Sequence, residues 1–143
     1  MDVDVDRLTR VLAGRLAAIV PEGFYVEATG GMLWYSADHG RFPGQLGDYQ
    51  AGTSGTDVAV NFEAHGQTAE ERVAGVAAQA LDELQDYVDE ATHEPWPGER
   101  TPPRAYAEVR DAVLRLWYGE PGAGGRVVLR CDPIPLAGIQ PGG

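Results

Sequence analysis

The chain reads as an α+β protein: a mostly antiparallel sheet with two helices on one face, in the order α-β-β-β-α-β-β-β. Three observations predict this. Stretches 6–20 and 68–92 carry apolar residues at helical spacing. Stretches 24–37 and 104–119 are β-rich, and each contains the tripeptide Leu-Trp-Tyr, at 33–35 and 116–118. Strand runs separated by single helices favour helices packed on one face of an antiparallel sheet.

In the first helix Leu8, Val11, Leu12, Leu16 and Ile19 recur at three- and four-residue steps. Asp4 or Asp6 can cap its start, and Pro21 with Gly23 ends it. Gly30-Gly31 then separates two short β-rich runs, and glycines tolerate the positive φ of a two-residue hairpin turn. Residues 38–55 hold five glycines and no period, so they read as a long loop, the best place in the chain for a ligand. The run TDVAVNFEA at 56–64 alternates, with Val58, Val60 and Phe62 on one face, and predicts a strand.

The second helix is the clearest element. Thr68 and Glu71 have capping-box spacing. Val73, Val76, Ala77, Ala80, Leu81, Leu84, Tyr87, Val88 and Ala91 form an apolar stripe, and Pro95 to Gly98 stops the helix. Segment 104–119 fits a helix or a hairpin split at Asp111-Ala112. The parallel between YVEATGGMLWYS and YAEVRDAVLRLWYG favours the hairpin. A strand RVVLRC follows, and 134–143 reads as a frayed tail; a single domain is expected over 1–136, with 137–143 flexible.

Charge narrows the function. The 143 residues carry a net charge of −11, against a basic nucleic-acid-binding face. Segment 68–99 alone holds nine acids and one arginine. There is no lysine, which excludes a Walker A loop, a pyridoxal Schiff base and a kinase of the usual plan. One cysteine allows no internal disulfide. No apolar run approaches the roughly 18 residues of a membrane span, and the acidic start is unlike a signal peptide. A cytoplasmic protein without membrane contact is the expectation.

The element order is similar to that of type III secretion chaperones and related small α+β domains, a resemblance that implies binding of protein segments and dimerisation. With LWYG, HEPWPG and DPIPL, the chain also resembles small acidic proteins of Streptomyces-type actinobacteria. That second resemblance implies a folded cytoplasmic single-domain protein and carries no catalytic residue.

No catalytic set emerges. His39, His65 and His93 lack zinc-ligand spacing, although His39 with Asp38 and Asp48 could assemble a site from distant positions. Cys131 has Asp132 beside it, which opposes a thiolate, and reads as a packed strand residue. Ser36 and Ser54 lie in or beside the loop that holds His39, without a nucleophile-elbow motif. Glu27 and Glu108 occupy matching places in the two Tyr-x-Glu segments, and convergence there would split their pKa values. The expectation is a non-enzymatic protein-binding module with no cofactor and no metal, acting through a protein partner and able to form a homodimer. Its contact residues would be Trp34, Tyr35, Phe42, Tyr49, Trp117, Tyr118, Glu83, Asp86 and Glu90, with Asp89 on the same acidic face. The alternatives are an acidic inhibitor or immunity-type protein for a basic partner, and a small-molecule-binding protein or hydrolase built on the 38–55 loop.

Overall fold

Helix α3, Ala69–Thr92, organises the molecule. In this computed structural model, which describes residues 1–38, 53–98, 101–122 and 124–142, the expected capping box forms. Thr68 accepts from the Glu71 amide, and the Glu71 carboxylate accepts from the Thr68 amide. Those two bonds satisfy orphan donors of the first turn. Val73, Val76, Ala77, Ala80, Leu81, Leu84 and Val88 are fully buried. The helix ends at His93, which takes a left-handed φ of 58° and donates its amide to Asp89 O.

Two antiparallel sheets, rather than one, pack against α3. The first orders β1 (Phe24–Thr29), β2 (Met32–Ala37) and β3 (Thr53–Asp57) as β1-β2-β3. The second orders β4 (Arg104–Arg110), β5 (Val113–Gly119) and β6 (Val127–Arg130) as β4-β5-β6, and β7 (Ile134–Pro135) also pairs with β5. Helix α1, Val5–Ala17, covers β1 and β2; Asp4 caps it, accepting from the Arg7 amide. Each long helix is thus followed in the chain by an antiparallel sheet, and each Leu-Trp-Tyr lies on the central strand of its sheet.

The segment 104–119 is the expected hairpin. Asp111 and Ala112 form its turn, both at positive φ (53° and 60°), as a type I′ turn needs. In the first hairpin Gly30 supplies the positive φ, at 58°.

Two expectations need correction. The alternating run at 56–64 is not a strand beyond Asp57. It folds into a short helix α2, Val58–Asn61, and a 3-10 turn, Phe62–His65. Asp57 caps the turn, accepting from the Val60 amide, while the Asn61 side chain donates to Asp57 O. Val58 and Phe62, four apart, stay inside; Val60 is 74% exposed. The strand lies earlier, and its Thr53 to Gly55 portion falls within the stretch read as loop. The C-terminal segment is also docked further than expected. Leu136–Ile139 forms a 3-10 turn with Leu136 and Ile139 buried, and Ile139 O accepts from the Asp4 amide.

Both hairpins and the helices α1, α2 and α3 share one apolar core, which includes Leu8, Leu12, Phe24, Leu33, Tyr35, Val58, Leu81, Leu114, Leu116 and Tyr118. No helix among the described residues is long and apolar enough to cross a membrane.

Candidate functional site

The two central strands place their tyrosines identically. Tyr35 and Tyr118 are fully buried, and their hydroxyls donate to consecutive carbonyls in the middle of α3: Tyr35 to Ala80 O (3.1 Å) and Tyr118 to Leu81 O (2.6 Å). A helix carbonyl has a second lone pair free for such a bond. Burial is the main cause that pushes both phenols well above their ordinary range. Both residues are therefore core pillars and not contact surface, contrary to expectation.

The tryptophans differ. Trp34 stands opposite Glu27 and Gly55 on the outer face of its sheet and is 40% exposed. A Cβ on Gly55 would lie 3.4 Å from its ring and 2.5 Å from the Met32 methyl, so both side chains reach over a bare backbone. Trp117 stands opposite Tyr106 and Arg130, stacks on Tyr106 (5.9 Å, 29°) and donates its indole N–H to Glu120 O. It is 8% exposed. Among the described residues, the expected aromatic surface reduces to Trp34, beside Tyr25, whose hydroxyl donates to Asp38.

The acidic residues of α3 also separate. Glu83 faces inward at the edge of the core, accepting from Thr56 (2.9 Å) and Gln79 (3.0 Å). Thr56 meets the Tyr35 hydroxyl at 2.6 Å, and Gln79 bonds His65. Glu83 is thus the middle of a chain of contacts from His65 to Tyr35. Asp89 accepts from the Trp96 amide (2.8 Å) and holds the segment after the helix. Asp82, Asp86 and Glu90 remain exposed at four-residue intervals, a ridge about 12 Å long. The Asp86 carboxyl is raised, first by partial burial and then by Asp82, Glu90 and Glu83. Among the described residues, the charged neighbours that act on it are acidic.

Other candidates are not assembled. Glu27 and Glu108 fall on different sheets, opposite Trp34 and Arg115 respectively. Cys131 is buried, and burial pushes its thiol up to about 12, so it is not poised as a nucleophile. No cluster of three metal-ligating side chains occurs among the described residues. Phe42, Tyr49, His39 and Asp48 lie outside the described residues.

One feature escaped the sequence reading. A cavity of about 450 Å³ opens beside β5 and the 131–133 segment, lined among others by Glu108, Arg110, Arg115, Trp117, Arg130 and Asp132. Its arginines come from three strands, so no local motif announces them. No family model, curated protein or solved structure matches the chain.

Proposed function

We propose that the protein is a non-enzymatic binding module that docks a basic protein partner on the exposed face of α3. The observation that carries this is the ridge of Asp82, Asp86 and Glu90. Like charges four apart on a helix destabilise it by about 0.2–0.5 kcal/mol per pair, and among the described residues the charges acting on Asp86 are acidic. A basic surface would turn that repulsion into attraction and speed encounter. The reading agrees with the concentration of acids in 68–99.

A pull-down with the tagged protein tests it. Capture should weaken as salt rises, and Asp82→Arg, Asp86→Arg and Glu90→Arg together should abolish it. A partner held equally at high salt, or by the triple variant, overturns this reading.

A second reading is favoured by Trp34. Its half-exposed ring against Gly55, with Met32 alongside, suits an aromatic anchor. That face belongs to the sheet layer, away from α3, so the two readings separate cleanly. Capture lost in Trp34→Ala but indifferent to salt points to the sheet.

A further inference from the structure

The outer face of the β4-β5-β6 sheet carries a second kind of chemistry. Strand β5 is flanked by β6 along Trp117–Gly119 and by β7 along Val113 and Leu114. Between them the chain at 131–133 crosses with one backbone bond, Cys131 N–H to Leu116 O. The cavity opens at that break. Its wall is pinned from behind: the Arg15 guanidinium on α1 donates to Asp132 O (3.1 Å) and Pro133 O (3.2 Å).

The arginines of this protein fall into contrasting groups. Arg7, Arg15 and Arg72 hold backbone carbonyls at the ends of segments. Arg110, Arg115 and Arg130 line the cavity, are exposed, and have neither hydrogen bond nor ion pair among the described residues. The chain has 22 acids for 11 bases, so three unengaged guanidiniums around one cavity run against its composition. They are always charged, and their planar forks match carboxylate and phosphate oxygens. Trp117, stacked and hydrogen-bonded, is a rigid wall between them. Glu108 and Asp132 line the same space and can accept from hydroxyl or amino groups. The volume lies within the range of small-molecule sites.

We propose that this cavity binds a small organic anion, a carboxylate or phosphate ester that also carries hydroxyl or amino donors. The anion sits among Arg110, Arg115 and Arg130, and its donors meet Glu108 and Asp132. The site lies on the far side of its sheet from α3, so it stands or falls independently of the docking ridge.

The experiment is a titration of the whole ¹⁵N-labelled protein with glycolate, phosphoserine and inorganic phosphate, read at the Trp117 indole N–H and the arginine Nε–H signals. Saturable shifts of Trp117, Arg115 and Arg130 are expected with glycolate or phosphoserine, tighter than with inorganic phosphate. Glycolate binding as tightly as phosphoserine shows that a carboxylate suffices as the anchoring group. Arg115→Gln with Arg130→Gln should weaken binding about 10-fold or more, while Arg10→Gln, on the exposed face of α1, leaves it unchanged. Since all three are surface residues, an unchanged melting temperature checks that the fold is intact. Absence of saturable shifts with every probe overturns the proposal, as does equal binding by the double variant. Inorganic phosphate binding as tightly as the organic anions overturns the role of Glu108 and Asp132.

Discussion

The hairpins β1–β2 and β4–β5 use the same tripeptide and put it to the same use on one side only. Inward, Tyr35 and Tyr118 each fix a central strand to adjacent carbonyls of α3. Outward, Trp34 is left 40% exposed over Gly55, whereas Trp117 is closed over by Tyr106. The difference is one of register. In the first hairpin Trp34 faces Glu27; in the second Trp117 faces Tyr106. The second hairpin is longer between its tripeptide and its turn, which moves Tyr-x-Glu by two residues against Leu-Trp-Tyr. The inward residue answers to the helix it meets, and the outward residue to its neighbour across the strands.

The largest expected effect tests the shared half of this comparison. Tyr35 and Tyr118 are held above their ordinary value of 10.0, Tyr87 to about 12, and Cys131 from 9.0 to about 12, burial being the leading cause each time. Unfolding would release these groups to their ordinary values. Between the two values the folded chain holds more protons than the unfolded one. Their contribution to stability is therefore complete below about pH 9 and falls as pH rises through the folded values. Phenolate absorbance should rise for Tyr35 and Tyr118 together, in step with loss of near-ultraviolet ellipticity. Ionisation of either one while the fold persists would mean that the two hairpins are not equivalent on their inner side.

The unshared half is tested by the tryptophans. Trp117→Ala removes a buried, stacked ring and should cost about 3 kcal/mol or more in a denaturant melt. Trp34→Ala should cost about 1 kcal/mol or less, since much of the ring is already in water. Similar losses at both positions would contradict the register argument. Smaller still are the hydroxyl deletions. Tyr118→Phe removes one bond, for about 1 kcal/mol. Tyr35→Phe should cost more, because the hydroxyl it removes meets Thr56 as well as Ala80 O. Thermal denaturation of the pair measures that difference.

Much of this architecture was legible. The capping box at Thr68 and Glu71 and the apolar stripe behind it define α3, and Gly30-Gly31 and Asp111-Ala112 mark the two turns. Positions 58 and 62 misled because four residues satisfy both a strand's period of two and a helical turn; only the exposure of Val60 separates them. Asp57 before a short apolar run was the missed signal for a cap. Strand β3, Thr53–Asp57, has no apolar pattern at all, and pairing with β2 makes it a strand. Glu83 looked like its acidic neighbours on the helix, but its hydrogen bonds to Thr56 and Gln79 depend on β3 and the side chains that α3 presents. The arginine cavity was hidden by the same averaging. A net charge of −11 says nothing about three arginines brought together from β4, β5 and β6.

The smallest effect joins stability to the proposed docking face. Asp86 lies between Asp82 and Glu90, and its carboxyl is raised by partial burial and by those neighbours. A raised carboxyl binds its proton more readily in the folded chain, so the cost of its charge appears as pH rises through the folded value. Asp86→Asn removes that charge while keeping the side-chain shape, and should raise stability at neutral pH by a few tenths of a kcal/mol. The gain should vanish in acid, where Asp86 is already neutral. Asp89 is the control on the same helix. It is also raised by partial burial, but its carboxylate accepts the Trp96 amide; Asp89→Ala leaves that amide without its acceptor and should lower stability instead. Opposite signs for two aspartates three residues apart would show that one serves the fold and the other burdens it. Asp86→Asn destabilising the protein, in melts run at neutral and acid pH, would remove the physical ground for assigning that ridge to a partner.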